Sequence, residues 1–92
     1  MKKVTIKGLV ITKAIHDRMV QDIEFATGVL SSLIRYANGD WGDLCKSDKA
    51  ENDKALENDE RIIALYNIGS DKIYIITEWD RSNTTILFPY EY

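Results

Sequence analysis

The sequence predicts an α+β fold in which a three-stranded antiparallel β-meander packs against one long helix and one shorter acidic helix. Apolar residues recur at helical spacing between residues 22 and 39, and three runs rich in β-branched and aromatic residues follow residue 60. A further β-branched run near the N-terminus is a candidate fourth strand. Because 92 residues suffice for one core, we expect a single domain spanning 1–92.

The N-terminal run, KVTIKGLVIT at 3–12, alternates apolar Val4 and Ile6 with polar residues. This alternation favours a strand, with Gly8 as a bulge or break. Thr12 is a suitable N-cap for a short helix that continues through Met19. Whether this helix joins the next one is left open by the pattern.

The long helix is predicted to begin at Asp22, a second suitable N-cap, and to end at Asn38 and Gly39, which favour a left-handed helix terminus. Its apolar residues form one continuous stripe, which we expect to face the sheet. The stripe comprises Phe25, Val29, Leu30, Leu33, Ile34 and Ala37.

The segment KSDKAENDKALENDE, at 46–60, reads as the acidic helix. Asp48 is the predicted N-cap, and Glu51 three residues later completes a capping box. Since the segment has few apolar residues, we expect the helix to lie on the surface.

The meander is predicted at 61–68, 72–79 and 84–88, with turn-forming residues between the strands. Alternation puts Ile73, Ile75, Thr77 and Trp79 on one face of the middle strand, and Tyr74, Ile76 and Glu78 on the other. Both faces are partly apolar, so both need a cover. We expect the long helix on one face, and the acidic helix, the N-terminal strand or a second copy of the chain on the other.

The net charge of −3 is unevenly distributed, since residues 40–60 carry three basic and eight acidic side chains. Apart from Lys2, Lys3 and Lys7 the chain has no basic cluster, which argues against direct nucleic-acid binding. The sequence has no apolar run long enough for a membrane span, and one cysteine cannot form an internal disulfide. We therefore expect a cytoplasmic protein that does not bind membranes.

The stretch GDWGDLC, at 39–45, combines flexible glycines, capping aspartates and one large aromatic ring. We interpret it first as a rigid corner in which Trp41 anchors the loop in the core, and second as a ligand or partner surface. Cys45 precedes a predicted helix, where its pKa could fall, but we expect it to be a small buried hydrophobic residue. One cysteine and one histidine give no pair of metal ligands.

The main functional hypothesis is a non-enzymatic protein-interaction module with no cofactor, metal or catalytic residue. Its acidic surface would present carboxylates to a basic, nucleic-acid-binding protein, in imitation of phosphates. Aromatic residues of the corner, the last hairpin and the C-terminus would complete the surface. The candidate partner-binding residues are Asp40, Trp41, Asp43, Asp48, Glu51, Asp53, Glu57, Trp79, Tyr90 and Tyr92.

Two alternatives remain open. The first is a small enzyme or ligand-binding protein with a pocket near the corner, formed by Trp41, Cys45, Glu78, Asp80 and Arg81. A further pair, His16 and Asp17, is adjacent on a helix and is not expected to face each other. The second alternative is a self-associating structural protein, a homodimer whose terminal segment ILFPYEY forms an edge strand up to Pro89.

The segments NGDWGDLC, SDKAENDKALEND, ITEWDRS and TTILFPYEY together resemble a group of small proteins encoded by plasmids, phages and conjugative elements of Gram-positive bacteria. Members are labelled plasmid-related or hypothetical, and sometimes type I restriction subunits. Trp79 departs from the smaller residue usual in the group. The resemblance spans roughly 11–92 and implies a mobile-element protein, for which an anti-defence inhibitor of a CRISPR or restriction complex is the concrete hypothesis. A methyltransferase domain would need more residues and a glycine-rich cofactor loop after a strand.

Overall fold

The computed structural model describes residues 3–92 and confirms the α+β class. Its described part contains three α-helices and a four-stranded mixed sheet. The elements in chain order are β1 (Leu9–Ile11), α1 (Lys13–Gln21), α2 (Ile23–Ala37), α3 (Lys46–Glu57), β2 (Ile62–Ile68), β3 (Asp71–Thr77) and β4 (Thr84–Leu87), followed by a short 3-10 helix, Pro89–Glu91. No helix within 3–92 has the length and apolar character needed to cross a membrane.

The strands are ordered β1-β4-β3-β2. Strands β2, β3 and β4 form the predicted antiparallel meander, and β1 is the fourth strand, parallel to β4. The predicted N-terminal strand was too long, because β1 begins only after Gly8, whose φ of 50° breaks the extended conformation. Strand β4 has a neighbour on both sides. The prediction of a C-terminal edge strand that pairs with a second copy is therefore wrong.

Local capping chemistry sets the helix ends. Thr12 accepts a hydrogen bond from the backbone N–H of Ile15 and caps α1. Asp22 caps α2 by accepting from Glu24 and Phe25, and its own extended backbone separates the two helices. After α2, Gly39 has a φ of 77°, as a left-handed C-terminal residue should.

Helices α1 and α2 cover one face of the sheet, which we call the inner face. The hydrophobic core lies between these helices and the sheet. Eight strand residues on this face are buried, namely Ile62, Ala64, Tyr66, Ile73, Ile75, Thr77, Thr84 and Ile86. Two threonine hydroxyls inside this core need partners. Thr77 Oγ1 lies 2.6 Å from the Tyr36 hydroxyl and 2.8 Å from Thr84 Oγ1, so the buried hydroxyl groups satisfy one another.

The predicted apolar stripe on α2 is only half correct. Phe25 and Val29 are buried, but Leu30 is 56% exposed and Ile34 65% exposed. The helix is apolar on two sides, and the side that carries Phe25, Val29 and Tyr36 is the one that packs on the sheet.

The start of α3 also differs from the prediction. The N-cap is Cys45, and Asp48 lies in the first turn, where a carboxylate interacts favourably with the helix dipole. Because it sits at this exposed helix end, Cys45 is exposed and the expected burial was wrong. Trp79 is likewise 65% exposed, since β3 ends at Thr77 and the expected alternation stops there.

Candidate partner-binding site

Trp41 anchors the GDWGDLC corner in the core, as the first interpretation of this loop required. Its side chain is 2% exposed and packs edge-on against Tyr36, with ring centroids 5.5 Å apart. The indole Nε1–H donates a 2.8 Å hydrogen bond to Asp53 Oδ1 on α3. The Trp41 ring therefore lies inside the fold and presents no contact surface to a partner.

Asp40 holds the first half of the corner. Its carboxylate accepts a 2.8 Å hydrogen bond from Arg35 Nε, and its backbone carbonyl accepts from the Tyr66 hydroxyl. The Arg35 guanidinium also lies 5.2 Å from the centre of the Tyr66 ring. Hydrogen bonding to Arg35 holds the pKa of the Asp40 carboxyl below its usual value.

The second half of the corner runs along the open edge of β2. The Asp43 N–H donates to Leu65 O at 2.7 Å, and the Asp43 carboxylate accepts from the Asn67 N–H at 2.8 Å. Gly42 bridges to Leu65 with a φ of 78°, so the backbone approaches the strand closely. Asp43 is thus a residue that closes the sheet edge.

Asn52 closes the remaining edge of β2, a role that the sequence analysis missed. Its Nδ2 donates to Ile63 O at 2.8 Å, and its Oδ1 accepts from the Ile63 N–H at 3.4 Å. Asn52 is buried although its helix is mostly exposed. In the sequence, nothing distinguishes this asparagine from Asn58 at the end of the same helix.

The acidic residues of α3 do not form one row. Asp53 faces the corner and Trp41, whereas Asp48 and Glu51 line a groove on the other flank of the helix. Glu57 is exposed, lies one turn after Asp53 on the same side of the helix, and does not line the groove. Lys54 lies 3.9 Å from Glu51 and reduces the local negative charge. The carboxylates that can reach a partner at the groove are therefore Asp48 and Glu51.

The groove runs between α3 and the outer face of the sheet and has a volume of about 320 Å³. On the outer face, the 3-10 helix Pro89–Glu91 and Tyr92 pack against β3, and Ile76 and Leu87 are buried. The groove is lined by Leu44, Asp48, Glu51, Asn52, Arg61, Ile63 and Tyr74. Carboxylates and partly exposed apolar side chains therefore share one concave surface.

Tyr92 packs against two of the residues that line this groove, Tyr74 and Arg61. Its ring contacts the Tyr74 ring edge-on at 5.8 Å, and its hydroxyl accepts a 2.7 Å hydrogen bond from Arg61 Nη1. Arg61 Nε also lies 3.6 Å from Glu78. Tyr92 thus contacts two residues that line the groove, without lining it itself.

Tyr90 and Trp79 lie elsewhere. Tyr90 is exposed and stacks on Phe88 at 5.3 Å, beside a second groove that Arg18, Asp71 and Lys72 also line. Neither Tyr90 nor Trp79 lines the groove at α3.

The residues of the alternative pocket have separate structural partners. Arg81 donates to the carbonyls of Ala55 and Glu60, tying the last hairpin to the end of α3. Asp80 accepts hydrogen bonds from Ser82, which lower the pKa of its carboxyl. The Cys45 sulfur lies 3.2 Å from Ser47 Oγ. These contacts stabilise turns and helix ends.

His16 and Asp17 do contact each other, contrary to the expectation from helix geometry. The distance from His16 Nδ1 to Asp17 Oδ1 is 3.3 Å, and Asp17 also accepts from Lys13 at 2.7 Å. All three side chains lie at the surface. No group of three or more histidine, cysteine or acidic side chains in the described part of the chain is arranged to hold a metal ion.

Comparison of this chain with protein-family models, curated proteins and solved structures finds no match.

Proposed function

We propose that this protein is a non-enzymatic interaction module that binds a basic segment of a partner protein in the groove between α3 and the outer sheet face. The observation that carries the proposal is that Asp48 and Glu51 line the same groove as Ile63 and Tyr74. Lysine and arginine have long apolar stems and a terminal charge. A groove that combines apolar side chains with two carboxylates can contact both parts of such a side chain.

Arg61 also lines the groove and adds a positive charge to it. A cationic side chain of the partner is therefore disfavoured beside Arg61 and favoured beside Asp48 and Glu51. The acidic balance of residues 40–60 would raise the rate of association with a basic surface. The most concrete version of the proposal is a mobile-element inhibitor that occupies the nucleic-acid-binding surface of a host defence complex.

The test uses an oligoarginine peptide of nine residues as the probe and NMR chemical-shift mapping as the measurement. We expect shifts concentrated at Asp48, Glu51, Ile63 and Tyr74. The double variant Asp48→Lys/Glu51→Lys should lose these shifts while keeping the circular dichroism spectrum of the wild type. Asp53 is left unchanged, because its substitution would remove the acceptor for Trp41.

The matched control is Glu57→Lys/Glu60→Lys, which changes the net charge equally at exposed positions outside the groove. It should retain most of the binding. Equal loss of binding in both variants would mean that net charge alone attracts the peptide, and shifts spread evenly over the surface would reject the groove. The same two variants used as bait in a Gram-positive lysate then identify partners that depend on the groove.

A further inference from the structure

The outward side of α2 carries a ridge of residues that no element in 3–92 covers. Ile23, Thr27, Leu30 and Ile34 lie within about 60° of one another around a helix of 3.6 residues per turn. Ile23 is 78%, Leu30 56% and Ile34 65% exposed. We name these four residues the α2 ridge. Single exposed apolar residues are ordinary, but three of them aligned on one helix form a patch typical of an interaction surface.

We propose that the α2 ridge is the contact surface of a homodimer in which α2 packs antiparallel against α2 of a second copy. The ridge has an internal symmetry that fits this occupant. Ile23 and Ile34 are equidistant from the point between residues 28 and 29, and so are Thr27 and Leu30. A two-fold axis through this point places Ile23 against Ile34 of the second copy, and Thr27 against Leu30 of the second copy.

Charges beside the ridge select the antiparallel orientation. Glu24 lies in the first turn of α2 and Arg35 in the last turn. Viewed down the helix axis, the two side chains are about 20° apart and lie on the same flank of the ridge. In the antiparallel dimer, Glu24 lies at nearly the same height as Arg35 of the second copy, which gives two symmetric ion pairs. A parallel dimer would place these two residues on opposite flanks of the interface in the two copies, and no such ion pair would form. Arg35 keeps its contact with Asp40, and its side chain remains 42% exposed.

The dimer leaves the groove at α3 free. The ridge points away from the inner face of the sheet, whereas Ile63 and Tyr74 belong to the outer face. The two surfaces therefore lie on opposite sides of the molecule, and each copy in the dimer presents its own groove. The inference does not depend on the proposed function.

The first experiment is sedimentation equilibrium over a range of protein concentrations. We expect reversible dimerisation, and we expect Leu30→Glu to raise the dissociation constant at least tenfold. The matched control Ala50→Glu adds the same charge at an exposed position of α3 and should leave the dissociation constant unchanged. A monomer at every concentration, or a dimer insensitive to Leu30→Glu, overturns the proposal.

The second experiment maps the orientation by disulfide formation and does not require Leu30→Glu to fold. In a Cys45→Ser background, Thr27→Cys should form a disulfide-linked dimer, because position 27 lies close to the two-fold axis. Ile23→Cys should not form one, because the two copies of position 23 are separated by about 16 Å along the helix axis, at a rise of 1.5 Å per residue. Self-linking at position 23 in place of position 27 would contradict the antiparallel arrangement.

Discussion

The indole Nε1–H of Trp41 donates a 2.8 Å hydrogen bond to Asp53 Oδ1, twelve residues later on α3. This bond joins the most distinctive loop of the chain to α3, which carries four acidic side chains. Trp41 and Asp53 both belong to the surface hypothesised from the sequence, yet the structure uses them to hold the corner against α3. The reachable part of that surface is therefore the groove on the other flank of the helix.

Removing the indole N–H should destabilise the fold. We expect Trp41→Phe to lower the free energy of unfolding by about 1–3 kcal/mol, because a buried hydrogen bond and part of a packed ring are lost. Urea unfolding followed by far-UV circular dichroism measures the change. The control Trp79→Phe alters an exposed ring and should stay within about 0.5 kcal/mol of the wild type. Equal effects at the two tryptophans would argue against the anchoring role.

Gly42→Ala should be among the most damaging single substitutions. The added Cβ would collide with the Leu65 carbonyl oxygen and lie 2.7 Å from Tyr66 Cδ1, at a residue whose φ is 78°. We expect a loss of about 3–5 kcal/mol from backbone strain and overpacking together. Gly69→Ala is the control, because Gly69 has a φ of 60° and open space around it. Gly69→Ala should lower the free energy of unfolding by about 1–2 kcal/mol, from backbone strain alone. The difference between the two variants in urea unfolding gives the steric part, and a difference near zero would contradict the close approach.

Asn52→Ala should open the edge of β2. The substitution leaves the N–H and C=O of Ile63 without their side-chain partner, for an expected loss of about 1–3 kcal/mol. Hydrogen exchange at the Ile63 amide, measured by NMR, should become faster. Glu57→Ala on the same helix is the control and should leave that amide protected. Unchanged protection in Asn52→Ala would show that the amide of Asn52 does not close the edge.

Acid should weaken the corner through Asp40. Its pKa is lowered in the folded protein, chiefly by the hydrogen bond from Arg35, so the unfolded chain binds a proton there more readily. The stabilisation is therefore present above the pKa of the unfolded chain and is lost as the pH falls through the folded value. Asp40→Asn should be less stable than the wild type at pH 7, and this gap should narrow in acid. In an Arg35→Gln background the stability difference between the chains with and without Asp40→Asn should depend less on pH, because Arg35 is the largest of several causes of the lowered pKa. An unchanged pH dependence would show that Arg35 is not the main cause.

Alkali should act through Tyr36. Burial raises the pKa of its hydroxyl to about 12, from an ordinary value of 10.0. Since the folded state holds this proton more tightly, stability is complete below the pKa of the unfolded chain and falls as the pH rises through the folded value. Tyr36→Phe should lose about 1 kcal/mol at pH 7, from the bond to Thr77, and should show a shallower decline between pH 10 and pH 12. If the free energy of unfolding falls equally with pH in the wild type and in Tyr36→Phe, Tyr36 does not contribute to the decline.

Local chemistry made much of the fold predictable. Thr12 and Asp22 act as caps because their side chains satisfy the first free N–H groups of the helix beside them, and this requires no knowledge of the rest of the chain. The meander followed equally from short turns between β-rich runs. The outward side of α2 was not predictable, since Leu30 and Ile34 are as apolar as Val29, and only the docked sheet distinguishes the two sides.

The site depended on contacts between distant parts of the chain. Asn52 meets Ile63 because α3 lies along β2, and Tyr92 meets Tyr74 because the C-terminal residues fold back over the outer face. Neither contact can be predicted from the hydrophobic periodicity of the sequence. The acidic composition of residues 40–60 was visible, but the division of its carboxylates between two helix flanks appears only once α3 is placed.

The fit of Gly42 against Leu65 also limits how this chain can diverge in evolution. Exposed positions of α3 outside the groove, such as Glu57, tolerate substitution, whereas a glycine at position 42 and an asparagine ten residues later contact the same strand. Descendants with little overall identity should still carry a tryptophan, the glycine after it and that asparagine at the same spacing. These three positions form a signature by which remote homologues can be recognised.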